Sequence, residues 1–360
     1  STFYNILDGN YDINFNNDSI FNYKLRSNYY GISANLNYVY SKVDISMGIS
    51  QNYYDRRHMM GVKPYDISTI SHDNIGRKNQ TAVFYKLNYN LTHNLSIYTD
   101  LQYRFVNFTY DDGVETWVNG INYSFFNPKI GINYIKRNSR FFTYFGISNR
   151  EPNRVDIFNY YTNYDPDNVP NSELDLNVVK SEKIYDSEIG YDYNIKHHKI
   201  SVNYFYMFFE NGLLPVGQLN SLGLPINKNV KYSYRTGIEA DYTYTLNTFK
   251  FYLGSTIMTS KILSGADSII NNQMLLTPNV VINSNIQYSF GKYSIMLLNK
   301  YVSRSYLTNT NTDNYLPEYV VTNLNLNYNI KGVGIGFNVN NIFNVDYYNS
   351  GQVSNGSRQF

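Results

Sequence analysis

The densest chemistry in this sequence is a run of five residues, Arg56-Arg57-His58-Met59-Met60. A histidine with two thioethers could ligate a soft metal or haem iron. Paired arginines have the fork that grips an anionic chelate. A mobile surface loop also carries such residues, so three readings stand. A second basic pair, Arg150 and Arg154, opens the segment 150–182, which also holds several tyrosines and seven acidic residues. Arg56, Arg57, His58, Arg150 and Arg154 are therefore the candidate ligand contacts. Other groups point nowhere. His93, His197 and His198 fall in short turns, and Trp117 falls at a loop rim. Asp111-Asp112 lacks the spacing of a calcium loop. With no cysteine there is neither a disulfide framework nor a thiolate metal site. No Ser/His/Asp arrangement or glycine-rich phosphate loop occurs. The reading is of a protein that binds rather than catalyses, with no cofactor and no metal centre of its own.

The elements that must carry these residues alternate with period 2. Leu324, Leu326, Tyr328 and Ile330 fall on one face, and Asn323, Asn325, Asn327 and Asn329 on the other. Val83, Tyr85, Leu87, Tyr89 and Leu91 stand opposite Phe84, Lys86, Asn88 and Asn90. The pattern predicts about fourteen strands: 29–40, 43–55, 80–91, 95–109, 124–136, 140–149, 183–195, 198–210, 230–246, 248–261, 277–290, 292–304, 319–330 and 333–343. Segment 11–25 is a candidate for a fifteenth. The registers of 140–149 and 292–304 stay open. Connections alternate between short turns and long loops, the latter at 56–79, 110–123, 150–182, 211–229, 262–276, 305–318 and 344–356. Outer-membrane barrels have this asymmetry, with short periplasmic turns and longer extracellular loops. The fold expected is therefore all-β, a transmembrane antiparallel β-barrel.

Composition agrees. Tyrosine accounts for 40 of 360 residues and phenylalanine for 21. Tyrosine suits interfacial girdles, where the ring buries and the hydroxyl stays wet. No apolar run approaches the ~18 residues of a membrane helix. The formal net charge of +2 gives no reason to expect nucleic acid. On the polar face the charges Asp44, Lys86, Asp100, Arg104, Glu188, Asp192, Glu239 and Asp241 would face the lumen. They would line a hydrated wall.

Several segments resemble TonB-dependent outer-membrane receptors. They are S-N-R-E-P-N-R-V-D (Ser148–Asp156), Y-D-S-E-I-G-Y-D-Y (Tyr185–Tyr193), R-T-G-I-E-A-D (Arg235–Asp241) and N-V-N-N-I-F-N-V-D-Y-Y (Asn338–Tyr348). Their order and spacing follow the family's over most of residues 140–360, while residues 1–139 match in barrel pattern only. The resemblance implies that 1–360 is part of a receptor barrel, about 14–15 strands of ~22, incomplete at both ends. It implies an N-terminal plug domain and a TonB box outside this chain. It also implies location in the bacterial outer membrane, contact with its lipid, and energised import of a scarce nutrient such as a ferric siderophore. Partners would be the TonB complex, the chain's own plug and the small-molecule ligand. Glu188, Asp192, Glu239, Asp241 and Arg104 would face that plug, with Glu188 and Glu239 foremost because they lie in the family-like strands. A passive, porin-like channel is the alternative, since fourteen strands could also close a smaller barrel.

Overall fold

The computed structural model describes residues 1–16, 19–63, 70–111, 117–159, 179–219, 225–354 and 357–359. Its elements in chain order are β1 (Thr2–Asn16), β2 (Ser19–Tyr40), β3 (Val43–Lys63), β4 (Ile70–Asn90), β5 (Leu95–Asp111), β6 (Trp117–Lys136) and β7 (Ser139–Arg150). A short helix α1 (Arg154–Asn159) follows, then β8 (Glu182–Ile195), β9 (His198–Leu219), β10 (Pro225–Leu246), β11 (Phe249–Ile262), β12 (Val280–Phe290) and β13 (Tyr293–Val302). The chain ends with β14 (Ser305–Tyr306), β15 (Tyr315–Leu316), β16 (Tyr319–Ile330), β17 (Val333–Val339), β18 (Gln352–Ser354) and β19 (Ser357–Gln359). Fifteen strands form one sheet in chain order, from β1 to β13 and on through β16 and β17, while β14–β15 and β18–β19 are separate small hairpins. Segment 11–25 thus belongs to the β1–β2 hairpin, which supplies the fifteenth strand.

Short turns set the register. Ser41, Arg137, Lys196, Asn247, Gly291 and Lys331 each enter a two-residue turn at positive φ, for example 50° at Ser41 and 45° at Asn247. That conformation matches the right-handed twist of the flanking strands. From these turns β2 and β3 pair without a slip, Tyr40 with Val43 through to Ile20 with Lys63. The two open registers are settled by exposure. Phe141 and Phe145 are exposed while Gly146 is buried, and Tyr293 and Ile295 share the exposed apolar face.

The strands run much further than their alternation. The expected loop 56–79 is mostly strand, with β3 reaching Lys63 and β4 starting at Ile70. The expected loop 211–229 is likewise strand up to Leu219 and from Pro225, and 110–123 is strand from Trp117 onward. Alternation is a record of lipid on one face. Where neither face meets lipid the ladder continues without it, so Arg56-Arg57-His58-Met59-Met60 reads as a loop and folds as a strand.

The chain divides into two compact units, one mainly of residues 1–89 and 98–129, the other mainly of 130–163 and 179–360. Each has a pair of tyrosine belts on its apolar face. In the first, Tyr38 and Tyr40 lie near the turn, and ten residues above Tyr40 the ring of Tyr30 stacks on Tyr53 and meets Tyr4 at a tilt, across three strands. In the second, Tyr244 lies near the turn and Tyr234, stacked on Tyr206, ten residues above it. A tilted strand climbs ~2.5 Å per residue. Ten residues are then ~25 Å, the height of the apolar band of an outer-membrane barrel. Between the belts the apolar face is bare: Leu36 is 60% exposed, Ile189 64% and Ile257 60%. The opposite face is polar, and two of its glycines are covered by rings from the neighbouring strand, Phe142 over Gly190 and Phe84 over Gly48. A ring laid across a strand glycine restores the packing that its missing side chain forgoes.

Candidate functional site

In the first unit the expected ligand cluster is divided between two faces. Arg56 lies on the polar face, where its Nε donates to Ser27 Oγ at 3.0 Å and its guanidinium sits 5.8 Å from the Tyr54 ring. Arg57 lies on the apolar-face side, above the tyrosine belt. It clamps Asp73 with two hydrogen bonds, Nε donating at 2.6 Å and Nη2 as the second donor. Those hydrogen bonds hold the Asp73 carboxyl below its ordinary range. His58 pairs across the ladder with Leu25 and Asn74. Adjacent residues in a strand face opposite ways, so Arg56 and Arg57 cannot grip one small ligand together. Arg104, on β5, stacks 5.1 Å over Phe125 and reaches Gln80 Oε1 at 3.4 Å, while Lys86 Nζ stands 3.7 Å from Asp100. Asp44 is paired in register with Asn88. Trp117 opens β6, Asp111 ends β5, and Asp112 lies outside the described residues.

In the second unit the upper ends of the strands are tied together. Arg150 and Glu182 are cross-strand partners at the top of β7 and β8, with Arg150 Nε 3.3 Å from Glu182 Oε1. Glu182 is 6% exposed, and its Oε2 accepts the Leu213 backbone N–H at 2.9 Å. A buried carboxylate needs such partners, because unpaired it is costly to desolvate. The family-like run Ser148–Asp156 ends in a reciprocal cap. Asn153 Oδ1 accepts the Asp156 N–H and Asp156 Oδ2 accepts the Asn153 N–H, both at 2.9 Å. This is capping-box geometry, and it starts α1. Asp156 Oδ1 also accepts from Asn227 Nδ2 at 2.8 Å, fixing α1 to β10. Arg154 is the first residue of α1, and residues 160–178 of the loop lie outside the described residues.

Beside them, the segments 263–279 and 303–318 are knitted into one body. Asn309, 8% exposed, donates to the Pro215 carbonyl at 2.9 Å and accepts the Leu275 N–H at 3.0 Å. Asn311 accepts the Gln273 N–H at 2.7 Å and donates to the Gln273 carbonyl at 2.8 Å. Beneath lies a small core of Leu214, Val230, Ile262 and Met274. Met274 Sδ accepts from Arg235 Nε at 3.4 Å, and the Arg235 guanidinium lies 5.3 Å over the Phe209 ring. Sequence reasoning quoted Arg235 only as part of a motif, and singled out neither Glu182 nor Asn309. Nothing in the sequence marks the last two. Asp156 was findable, since an Asn three residues before an Asp is a helix-start signal.

Lower down, the polar face carries the remaining charges. Arg140 Nε holds Asp192 Oδ2 at 2.7 Å, and Ser201 donates to Asp192 Oδ1 at 2.6 Å. Asn203 donates to Glu188 Oε2 at 3.0 Å, and Tyr252 to Asp241 Oδ1 at 2.5 Å. Glu239, in register with Asn203 and Thr256, is exposed. The four carboxylates therefore share one stretch of wall across β8, β9 and β10. In the short-turn end, His198 Nδ1 lies 2.9 Å from the Tyr242 hydroxyl. The fourth family-like run closes on itself. Asn341, at φ 53°, accepts the Val345 N–H and donates to its carbonyl, both at 2.9 Å, while Tyr347 packs on Tyr319 at 4.8 Å.

An antiparallel sheet in chain order, with one apolar face bounded by tyrosine belts and the other polar, matches part of the wall of an outer-membrane β-barrel. The model of the TonB dependent receptor-like β-barrel family matches residues 1–342, and the chain belongs to that family. It is a protein of the bacterial outer membrane, so its apolar face meets lipid and its polar face the lumen. Solved structures agree in fold. The ferric yersiniabactin uptake receptor FyuA from Yersinia pestis superposes with a TM-score of 0.75 at 14% identity, over 99% of this chain and 55% of that one. The copper transporter OprC gives 0.80 at 15% identity, over 96% and 56%. The ferric citrate transporter FecA in its unliganded form gives 0.75 at 14%, over 96% and 54%. The chain spans about half the length of these proteins. Among curated protein sequences none matches it.

Proposed function

We propose that this chain is barrel wall of an energy-coupled importer that captures an iron chelate from outside the cell. Family membership supports the class of transport. The feature that carries the reading is the height of the walls. β3 and β10 continue ten residues or so beyond their outer tyrosines, Tyr53 and Tyr234, into water. A passive pore needs only the ~9–11 residues that cross the bilayer. Walls of 21 and 22 residues instead supply a large surface outside it. On the lumen side stand Arg56 in the first unit and, in the second, Arg150 beside its partner Glu182, and guanidinium groups at that height suit an anionic ligand. Two of the similar structures handle ferric chelates by name, and one handles copper. In this reading the plug domain fills the lumen against Glu188, Asp192, Glu239, Asp241 and Arg104, and TonB supplies the energy. No catalytic step is involved.

The test is growth of a deletion strain on single iron sources, with binding of the same ferric chelates to the purified full-length protein. Loss of growth on one anionic chelate, restored by the gene and dependent on TonB, is the expected result. Undiminished growth on every source, together with steady ion conductance in planar bilayers, would support a passive channel instead.

A further inference from the structure

The short-turn end of the second unit carries charge of one sign. Five of its turns are two residues long: Arg137-Asn138, Lys196-His197, Asn247-Thr248, Gly291-Lys292 and Lys331-Gly332. Four of them hold an exposed cation, Arg137, Lys196, Lys292 or Lys331, and no carboxylate falls within three residues of any of the five. None of the four cations makes an ion pair among the described residues. The next carboxylates up the wall are engaged, Asp192 by Arg140 and Asp241 by Tyr252. At the long-loop end of the same strands the signs are mixed, with Glu182 beside Arg150 and Lys183 across from Glu210. The turns are also locked in a row. The carbonyls of Asn138, His197, Thr248 and Lys292 accept the N–H groups of Asn194, Thr245, Ser289 and Asn329, each on the strand that enters the next turn, at 2.7–2.9 Å. Neighbouring turns stand two strands apart, ~10 Å along the rim.

We propose that this rim binds an extended polyanion of the periplasm, the peptidoglycan of the cell wall, through the free carboxylates of its stem peptides. The proposal rests on the short turns facing the periplasm, which cysteine labelling at Asn138 tests by itself. Three features select this partner. Lipid phosphates would be met by cations on the lipid-facing row, yet the four stand at the chain reversals. Of the cations flanking them only Lys136 continues the exposed row of Ile132 and Tyr134, while Lys199 and Lys250 lie on the opposite row, in register with Thr243 and Thr245. A folded protein partner would need an apolar centre to its contact, and none of the five turns offers an apolar side chain. Like charges at a regular ~10 Å spacing on a fixed edge match a chain whose carboxylates recur along its length. Each such contact is exposed, screened and weak, so the binding comes from their number.

The test is co-sedimentation of the full-length protein, held in lipid nanodiscs, with purified peptidoglycan sacculi. Arg137→Gln, Lys196→Gln, Lys292→Gln and Lys331→Gln together should weaken binding about tenfold, as the sum of four exposed ion pairs. Neutralising Lys183, Lys228, Lys231 and Lys261 at the long-loop end makes the same change in net charge and should leave binding as in wild type. Sacculi whose carboxyls have been amidated should hold wild type no better than native sacculi hold the four-turn variant. That arm decides the matter even where the variant assembles poorly. Equal binding of wild type to native and amidated sacculi would overturn the proposal. So would an equal loss in both fourfold variants, which would reduce the effect to net charge. A loss produced by Lys136→Gln alone would assign the cations to lipid phosphates and overturn it as well.

Discussion

The assignment of the two faces can be broken by one residue. Leu326 lies on the lipid face of β16, between Ile295 on β13 and Phe337 on β17. It stands five residues from the turn residue Lys331. At ~2.5 Å per residue that is ~12 Å, the middle of a ~25 Å band. A lipid-facing arginine at that depth costs ~2–4 kcal/mol. Leu326→Arg should therefore lower the folded-to-unfolded ratio roughly thirty- to seven-hundred-fold, at 1.4 kcal/mol per tenfold. Its neighbour Asn327 faces the lumen, in register with Ser294 and Gly336. Gly336 has no side chain, and Asn327 Oδ1 would lie only 3.2 Å from a Cβ placed there. Asn327→Arg would thus extend over a glycine into water and should cost little. The assay is urea-dependent folding of the full-length protein into lipid vesicles, read by the heat-dependent gel shift of the closed barrel. Equal folding of the two variants would refute the facing of β16, and with it the lumen assignment of every residue read from the same alternation.

Other consequences are as direct. Asn309→Ala should raise hydrogen exchange at Leu275 and around Pro215 together, since one side chain bonds to both regions; a change in only one would show that they move separately. Glu182→Ala strands Arg150 and the Leu213 N–H and should cost ~1.5–3 kcal/mol, the worth of a charged hydrogen bond, whereas Glu182→Gln keeps an acceptor and should cost less; the Leu213 exchange rate reports both. The Asp73 carboxyl is held down by Arg57, so its contribution is present at neutral pH and lost as pH falls through a value below 3.8. Asp73→Asn should then lower the melting temperature at neutral pH, with the deficit closing in acid; a constant deficit would count against the ion pair. Finally, a cysteine at Ser268 should react with an impermeant thiol reagent on intact cells and one at Asn138 only after the outer membrane is opened, and the reverse would invert the topology.

The sequence shows this fold through the bilayer's imprint and loses it where the imprint stops. Val83 and Tyr85 alternate with Phe84 and Lys86 because one set meets lipid. Further along the same ladder Arg56 to Met60 follow no such rule, so the continuation of β3 through them is invisible in the sequence. Removing the alternation also hid which arginine faces inward, which is why Arg56 and Arg57 read as one cluster. The side chains that organise the outer loops were hidden for another reason. Asn309 and Asn311 look like ordinary loop asparagines among many, and their roles depend on Gln273, Leu275 and Pro215, tens of residues away. Asp156 was legible because its partner, Asn153, is three residues off.

The order of the main sheet is the order of the chain, each strand lying against its predecessor. In such a sheet every two-residue turn fixes a hairpin from strands already consecutive in the sequence. Assembly can therefore proceed along one growing edge, a hairpin at a time, each new strand finding its template in the strand just laid down. The same arrangement makes the protein modular over evolutionary time. A long connection joins two neighbours and no others, so it can lengthen, shorten or change composition while the strands beneath keep their register. Among the described residues, segments 263–279 and 303–318 are one exception, because Asn309 and Asn311 bind them to each other. They should change together or not at all, and a graft of either one alone would carry a broken hydrogen-bond network with it.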